Sequence, residues 1–227
     1  GAGPLEQEIN IVVPDGASLG SMAQKLEDEG AIGSAKAFLM RAKFLGGTGS
    51  IKAGEYKLPK GVSNGEILAI LQGGKTINYM VTVPEGMPSI LVQERLLANK
   101  DLTGDVPVPV EGTVMPDSYA YQKGETRAAV LKRMQDAMER FLTAQWAKRG
   151  GDLVVKSPQE AIILASIVEK ETSVAEERPR VAGVYGNRLR TGMMLQADPT
   201  IIYPLTKGKP LGRRIRKSEI GGVNEYK

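Results

Sequence analysis

The sequence predicts an α+β protein assembled from short strand–turn–helix units. Short β-branched runs, such as residues 9–13, are followed by segments whose apolar residues recur at helical spacing, such as residues 19–29. The tetrapeptide Val-Pro-Asp-Gly at 13–16 recurs as Val-Pro-Glu-Gly at 83–86, and each copy follows a predicted strand and precedes a predicted helix. We interpret the Pro and Gly of both copies as turn-forming residues rather than as ligand-binding residues.

The N-terminal segment predicts the order strand, helix, helix, strand, followed by a third helix. Ser18 can cap the first helix, and Gly30 stops it. Ser34 begins the second helix, which contains Leu45 and ends at Gly46 and Gly47. The predicted ranges are 9–13 and 54–58 for the strands, and 18–29, 34–47 and 63–72 for the helices.

The C-terminal segment predicts a structured loop region and two helices. Residues 99–126 are rich in Pro, Gly and acidic residues, and apolar residues at helical spacing then predict a helix over 130–142. The next helix has the strongest start signal in the chain. Ser157 is its predicted N-cap, Pro158 takes the first helical position, and Glu160 completes a capping box.

The composition excludes several kinds of active site. The 227-residue chain contains no cysteine and no histidine, so a thiol nucleophile, a disulfide, a Cys/His zinc site and a Ser-His-Asp triad are impossible. Proton transfer near neutral pH then requires a carboxylate, Lys or Tyr. The net charge of +4 is a mild basic excess that would suit an anionic polymer or surface.

The sequence offers no membrane-spanning segment. No apolar run reaches the roughly 18–20 residues that cross a bilayer, and no signal peptide is recognisable. Residues 1–4, Gly-Ala-Gly-Pro, have the composition of a cloning remnant. We therefore expect any membrane anchor of the native protein to be absent from this sequence.

Two carboxylates stand at the end of the helix that begins at Ser157. The helix is apolar nearly all round for its first two turns, so we expect it to be buried. Glu171 follows an apolar stripe, whereas Glu169 follows smaller and more polar residues. The stripe and the helix C-terminus should both raise the pKa of Glu171, as a general acid requires. The alternative interpretation is that both carboxylates belong to a solvated helix end.

Four segments at the end of this helix and beyond it carry a resemblance to a known family. The segments 165–172, 175–178, 181–189 and 192–203 closely resemble the endolytic murein transglycosylase family (MltG, or YceG-like). Upstream, residues 112–119 resemble that family's Gly-x-x-Phe-Pro-Asp-Thr-Tyr segment, with Met115 in place of the usual Phe.

The resemblance implies a domain organisation and a cellular setting. A LysM-like subdomain is expected over 7–76 and a mixed α/β catalytic domain over 77–227, a domain that in the family continues past the equivalent of Lys227. The implied protein is a single-pass inner-membrane enzyme, anchored by an N-terminal helix, with this part in the periplasm. Its implied partners are peptidoglycan glycan strands and cell-wall synthases (penicillin-binding proteins). No cofactor, metal or nucleic acid is expected.

The resemblance also implies one essential glutamate, which we assign to Glu171. Lytic transglycosylases of the lysozyme-like type place their acid before a Ser or Thr, and Glu171 precedes Thr172. Its ionised form would take up the proton of the muramic C6 hydroxyl, giving a 1,6-anhydro end, so that no second carboxylate is needed. The candidate substrate-binding residues are Gln196, Asp198, Tyr203, Asn187, Tyr119 and Glu169.

Other interpretations stay open for several of these residues. Asp198 could cap a helix, Asn187 could pair locally with Arg188, and the tyrosines could be half-buried core residues. The basic stretch over 207–217 could attract anionic glycan peptides or be a solvated loop. A non-catalytic peptidoglycan-binding or scaffold protein of the cell-wall synthesis machinery is the alternative function. A hydrolase that uses Glu169 and Glu171 as a pair is disfavoured, because the two side chains diverge by about 200° around the helix axis.

Overall fold

The computed structural model describes residues 1–44, 47 and 49–225. The predicted helix residues Leu45 and Gly46 lie outside the described residues, as does Lys227. The chain forms two compact units, whose ranges cross the predicted boundary at residue 76; the ranges 7–76 and 77–227 stay predictions. The first unit contains 1–81, 97–105 and 118–130, and the second contains 82–96, 106–117 and the chain from 131 onward.

The first unit is a small antiparallel sheet covered by helices. The predicted order strand, helix, helix, strand is present, whereas its correspondence to a LysM-like subdomain stays a prediction. The three strands lie in the order β1-β2-β3. The elements are β1 (Ile9–Val13), α1 (Leu19–Asp28), α2 (Ala35–Phe44), β2 (Gly54–Leu58), α3 (Asn64–Gly73) and β3 (Thr76–Ile77).

Alternation along β1 builds the core of this unit. Ile11 and Val13 are buried, while Asn10 is exposed and Val12 is half-buried, as expected for a strand with one covered face. Ser18 caps α1 as predicted, since its Oγ accepts a hydrogen bond from Ser21 N at 3.0 Å. The buried residues that the helices and β2 add are Met22, Leu26, Phe38, Tyr56, Ile67 and Leu71.

The first Val-Pro-Asp-Gly turn packs closely against a second loop of the same unit. Asp15 N donates a hydrogen bond to Gly124 O at 2.8 Å, and Gly124 N donates to Asp101 O at 2.8 Å. Gly124 has a φ of +83°, and a Cβ there would lie 2.8 Å from Cα of Pro14. Only glycine therefore fits this approach without a shift of backbone.

The second unit is mostly helical. Strands β4 (Tyr79–Val83) and β5 (Asp117–Tyr121) form a two-stranded sheet. The expectation of a loop throughout 99–126 is wrong at β5, because strand pairing rather than its own sequence makes this polar segment extended. The helices are α4 (Ser89–Ala98), α5 (Arg127–Ala147), α6 (Pro158–Glu171), α7 (Arg178–Arg190), α8 (Pro199–Thr206) and α9 (Lys217–Gly221).

Helix α6 begins where its sequence signal predicts. Ser157 Oγ accepts from Glu160 N at 3.1 Å, and Pro158 takes the first helical position. The Glu160 carboxylate reaches one residue further back than a capping box requires, and it accepts from Lys156 N at 2.7 Å. Among the described residues, no helix combines the length and apolar character needed to cross a bilayer.

The expectation that α6 is buried is wrong. Of its 14 residues, all of which the structure describes, Val168 alone is buried, and Ile163 is 60% exposed. One stripe, with Leu164 and Ile167, packs against α7, and the remaining apolar residues are left uncovered. A continuous apolar run shows that a helix can be covered on any side, but not which sides are covered.

The Gly124 contact gives a stability prediction for the first unit. We expect Gly124→Ala to lower the free energy of unfolding by roughly 2–4 kcal/mol, since it adds overpacking against Pro14 to the cost of a left-handed backbone. Gly16→Ala is the matched control, because Gly16 has a φ of +76° but open space around its Cβ position. It should cost only about 1 kcal/mol.

Urea unfolding of the two variants measures both costs, that of the left-handed backbone and that of overpacking against Pro14. Equal losses of stability for Gly124→Ala and Gly16→Ala would contradict the close approach of the two loops.

Candidate active site

The candidate site is built where α6 ends and α7 begins. Glu171 is the last residue of α6, and Thr172 closes the helix with a hydrogen bond from its N to Val168 O at 3.3 Å. The Thr172 hydroxyl donates to Glu177 Oε2 at 2.8 Å and accepts from Val174 N at 3.1 Å. These bonds turn the chain through a short 3-10 turn at Ala175–Glu177 into α7, so the two helices present facing side chains.

Tyr185 of α7 is the residue that meets Glu171. Its side chain is only 4% exposed, and the Glu171 carboxylate lies close enough to its hydroxyl to act on the pKa of the phenol. Burial, followed by the acceptor oxygens and the negative charge of Glu171, raises the pKa of Tyr185 to about 12, while Arg188 acts in the opposite direction. The phenol therefore stays protonated at neutral pH and faces the carboxylate as a donor.

The carboxylate itself is accessible. Glu171 is an exposed residue, so the predicted burial of this side chain is wrong. The apolar stripe that precedes it is real, since Leu164, Ile167 and Val168 all belong to the cluster with Tyr185. The stripe ends one turn earlier, however, and the carboxylate at the last residue of the helix lies beyond it.

The segment before α8 joins the same cluster. Ala197 is fully buried against Val168 and Tyr185, whereas Gln196 and Asp198 on either side of it are exposed. Gln196 has a φ of +51°, a left-handed conformation that is costly for a residue other than glycine. Such strain is characteristic of functional sites.

Asp198 adds a second negative charge near the phenol. Its charge contributes to the raised pKa of Tyr185. Asp198 occupies the N-cap position of α8, but within the described part of the chain its side chain makes no capping hydrogen bond. The capping interpretation is therefore not supported. Thr200 instead ties the turn together through a hydrogen bond from its hydroxyl to Ala197 O at 2.7 Å.

Arg188 holds this segment against α7. Its guanidinium lies 5.9 Å from the centre of the Tyr185 ring and donates a hydrogen bond to the carbonyl of Leu195. Asn187 pairs locally, as the alternative interpretation had it, but with Arg190, whose Nη1 donates to its side-chain oxygen at 3.2 Å.

Glu169 is used differently from Glu171. Its carboxylate forms an ion pair of 3.2 Å with Arg178 at the start of α7. The next residue, Lys170, donates from Nζ to the carbonyl of Gly86 at 2.7 Å, so the Val-Pro-Glu-Gly turn at 83–86 packs against the end of α6. Glu169 thus fastens the end of α6 to its surroundings.

The remaining candidates lie on other elements. Tyr203 of α8 donates from its hydroxyl to Glu111 Oε1 at 3.2 Å. Tyr119 lies on β5 in the first unit and is half-buried. In the described residues, no three acidic side chains come together as the ligands of a metal would.

Tyr185 is the site residue that sequence reasoning missed. In the sequence, Tyr185 was noted only as part of the matching segment 181–189, although the spacing of apolar residues before it was a usable signal. Val181 and Ala182 lie four and three residues before it, so Tyr185 falls on the apolar face of α7. A phenol on the face that meets α6 is placed to reach the carboxylates at the end of that helix.

The Tyr185 phenol can be measured directly. In a titration followed by tyrosine absorbance, we expect Tyr185 to ionise near pH 12. The pKa values of Tyr56 and Tyr79 are also raised, so the contribution of Tyr185 is the part of the late absorbance change that Tyr185→Phe removes. The pKa of Tyr185 is about 12 in the folded protein and about 10 in the unfolded chain. Folding therefore favours the protonated phenol, and this contribution to the free energy of unfolding is present below about pH 10 and is lost as the pH rises towards 12.

The control is the wild-type protein in urea, where all phenols should titrate together. If Tyr185→Phe leaves the late absorbance change as large as in the wild type, Tyr185 is not held in solution as the buried phenol described above.

Comparisons with known proteins agree with the resemblance. The chain is 27% identical over 243 residues to the endolytic murein transglycosylase of Bacillus subtilis, covering 91% of this chain and 67% of that protein. It is 27% identical over 255 residues to the endolytic murein transglycosylase of Streptococcus pneumoniae serotype 2, covering 93% of this chain but only 45% of that protein.

The fold is shared with a solved structure. A YceG-like protein of Listeria monocytogenes matches with a TM-score of 0.50 and 22% identity, over 97% of this chain and 82% of that chain. This agreement confirms the predicted α+β fold, which the structure forms from helices and small antiparallel sheets. The model of the YceG-like family matches residues 11–227, and this chain therefore belongs to the YceG-like family.

Proposed function

We propose that this chain is the catalytic part of a murein transglycosylase in which Glu171 is the single acid/base. The observation that carries the proposal is the contact of an accessible carboxylate with a buried phenol, Tyr185, at the end of α6. Membership of the YceG-like family and the names of the curated relatives supply the substrate class, murein.

One carboxylate is sufficient when the substrate supplies the nucleophile. Glu171 protonates the glycosidic oxygen between N-acetylmuramic acid and N-acetylglucosamine, and that bond breaks. The muramic C6 hydroxyl attacks its own C1, and Glu171, now ionised, takes up the hydroxyl proton. The product ends in a 1,6-anhydro sugar, and no water is consumed.

Tyr185 determines which oxygen of Glu171 carries the acid proton. A phenol that donates to one carboxyl oxygen leaves the other oxygen to hold the proton. After the proton has moved to the sugar, the same hydrogen bond stabilises the carboxylate that forms. A pKa of about 12 keeps this donor protonated throughout.

The exposure of Glu171 suits a polymeric substrate. A glycan strand cut at internal bonds must lie across the enzyme, which requires an acid at an open surface rather than in a closed cavity. Gln196 and Asp198 flank the buried Ala197 beside this acid, so they are the strongest candidates for contacts with the sugars next to the cleaved bond. Asn187, Tyr203 and Tyr119 stay proposed contacts with the glycan strand.

A hydrolase is a second candidate function, and it rests on Asp198. Glu169 is paired with Arg178, so it is a poor partner for Glu171 in hydrolysis. Asp198, however, is close enough to Tyr185 to raise its pKa, and it follows Ala197, which is buried against Tyr185. If Asp198 activated a water molecule, the product would carry a reducing end.

The cellular setting also belongs to the proposal. We place this part of the protein outside the cytoplasm, joined to the inner membrane by an N-terminal helix, where it would act on strands made by penicillin-binding proteins. The relatives' names support the murein substrate only.

The central test is the paired substitution of the two glutamates. Glu171→Gln should lower cleavage of purified murein strands at least about 10³-fold, because the amide cannot donate the acid proton. Glu169→Gln, matched in chemistry and two residues away, should retain most activity, since it removes an ion pair rather than the acid. Muropeptide release, with circular dichroism to verify folding, measures both effects.

Normal cleavage by a folded Glu171→Gln variant would end the assignment. A larger loss from Glu169→Gln than from Glu171→Gln would move the acid to Glu169. If the wild-type chain bound murein and left it intact, the scaffold function would be favoured instead.

A further inference from the structure

A cavity of about 330 Å³ lies in the second unit, and its lining includes Tyr203, one of the proposed substrate contacts, but not Glu171, Tyr185 or Asp198. It is bordered by the start of α4, by residues 108–111 and by the end of α8. Its walls are mainly aliphatic. Two of the aliphatic side chains are unusually exposed to solvent, Val108 at 49% and Val110 at 74%. The lining residues with aliphatic side chains are Ile90, Val108, Pro109 and Val110.

The polar groups of this pocket are mostly committed to one another. Both carboxylate oxygens of Glu111 accept from Ser89 N at 3.2 Å, and one also accepts from the Ser89 hydroxyl at 3.0 Å. Tyr203 donates to the same carboxylate at 3.2 Å. Glu111 therefore caps the start of α4, where helix and donors offset its charge. A sugar ring, whose hydroxyls need many polar partners, would be poorly served here.

Lys207 provides the positive charge at this pocket. Its backbone is strained. It ends α8 in the left-handed conformation, with a φ of 52° and a ψ of 33°. Glycine would adopt this conformation without steric cost. The Lys207 ammonium lies 5.4 Å from the centre of the Tyr203 ring. Strain at a residue other than glycine points to a use for the side chain.

The backbone beyond Lys207 is fixed against the start of α4. Gly208 is also left-handed, with a φ of +95°, and a Cβ there would clash with the ring of Pro88. Pro88 precedes Ser89, which lines the pocket. The close approach of these two segments holds the end of α8, and with it Lys207, beside the aliphatic wall.

We propose that this pocket binds a short peptide, with a small aliphatic side chain against residues 108–110 and a carboxylate beside Lys207. The aliphatic wall and the Lys207 ammonium match that chemistry, whereas the hydrogen bonds between Ser89 and Glu111 leave little for the hydroxyls of a sugar. The inference rests on the proposed function for its source of peptide, because murein strands carry peptides that contain alanine and carboxylates. The pocket is then a subsite that reads the peptide, separate from the acid that cuts the glycan.

Binding measured without cleavage tests this subsite. In a Glu171→Gln background, titration calorimetry compares a murein disaccharide that carries its peptide with the same disaccharide after amidase has removed the peptide. Lys207→Met should weaken binding of the peptide-bearing probe about five- to tenfold, as expected for loss of a charge-assisted contact. Binding of the peptide-free probe, which still carries the lactyl carboxylate, should not change.

Lys209→Met is the matched control, since it removes a nearby charge that is paired with Glu94 at 2.6 Å. It should leave both affinities unchanged. Equal weakening of both probes by Lys207→Met, or equal effects of the two lysine substitutions, would show general charge attraction and overturn the peptide subsite. These results do not depend on whether Glu171 is the acid, because no bond is cut.

Lys207→Gly separates the use of the side chain from its structural cost. Glycine relieves the left-handed strain, so the midpoint of thermal unfolding should stay the same or rise by about 2–4 °C. Affinity for the peptide-bearing probe should fall as far as in Lys207→Met. A variant that binds the peptide normally would show that the strained lysine has no part in binding.

Discussion

The contact between the Tyr185 phenol and the Glu171 carboxylate is the interaction on which the proposed site depends. It joins the last residue of α6 to the middle of α7, and the phenol is held there by burial with Val168 and Ala197. Because Ala197 also anchors the segment before α8, one small apolar cluster fixes three elements. The carboxylate at its edge is accessible while the group that orients it is rigid, a combination that catalysis on a polymer requires.

The surrounding polar contacts keep this arrangement in place without touching the acid. The ion pair between Glu169 and Arg178 fastens α6 to α7, and Lys170 fastens it to the turn at Gly86. Arg188 holds the residue before Gln196 through a backbone carbonyl. Two neighbouring glutamates of one helix thus have different uses, one as a fastening and the other as the proposed acid.

Local signals in the sequence predicted much of the fold, and tertiary contacts decided the rest. The Ser18 and Ser157 caps and the strand at 9–13 were predicted correctly, because their causes lie within a few residues. The polar strand β5 was missed, because its partner strand is distant in sequence. The burial of α6 was predicted wrongly, because its apolar run does not tell which sides have neighbours. Tyr185 was missed because its importance arises from the facing helix.

A single proposed acid, aided by a phenol, implies that water takes no part in the bond-breaking step. The most direct measurement is cleavage of purified murein strands in water enriched in oxygen-18, followed by mass spectrometry of the new ends. The account predicts 1,6-anhydro ends without the heavy isotope. Reducing ends that carry oxygen-18 would contradict it and would assign hydrolysis, with Asp198 as the second carboxylate.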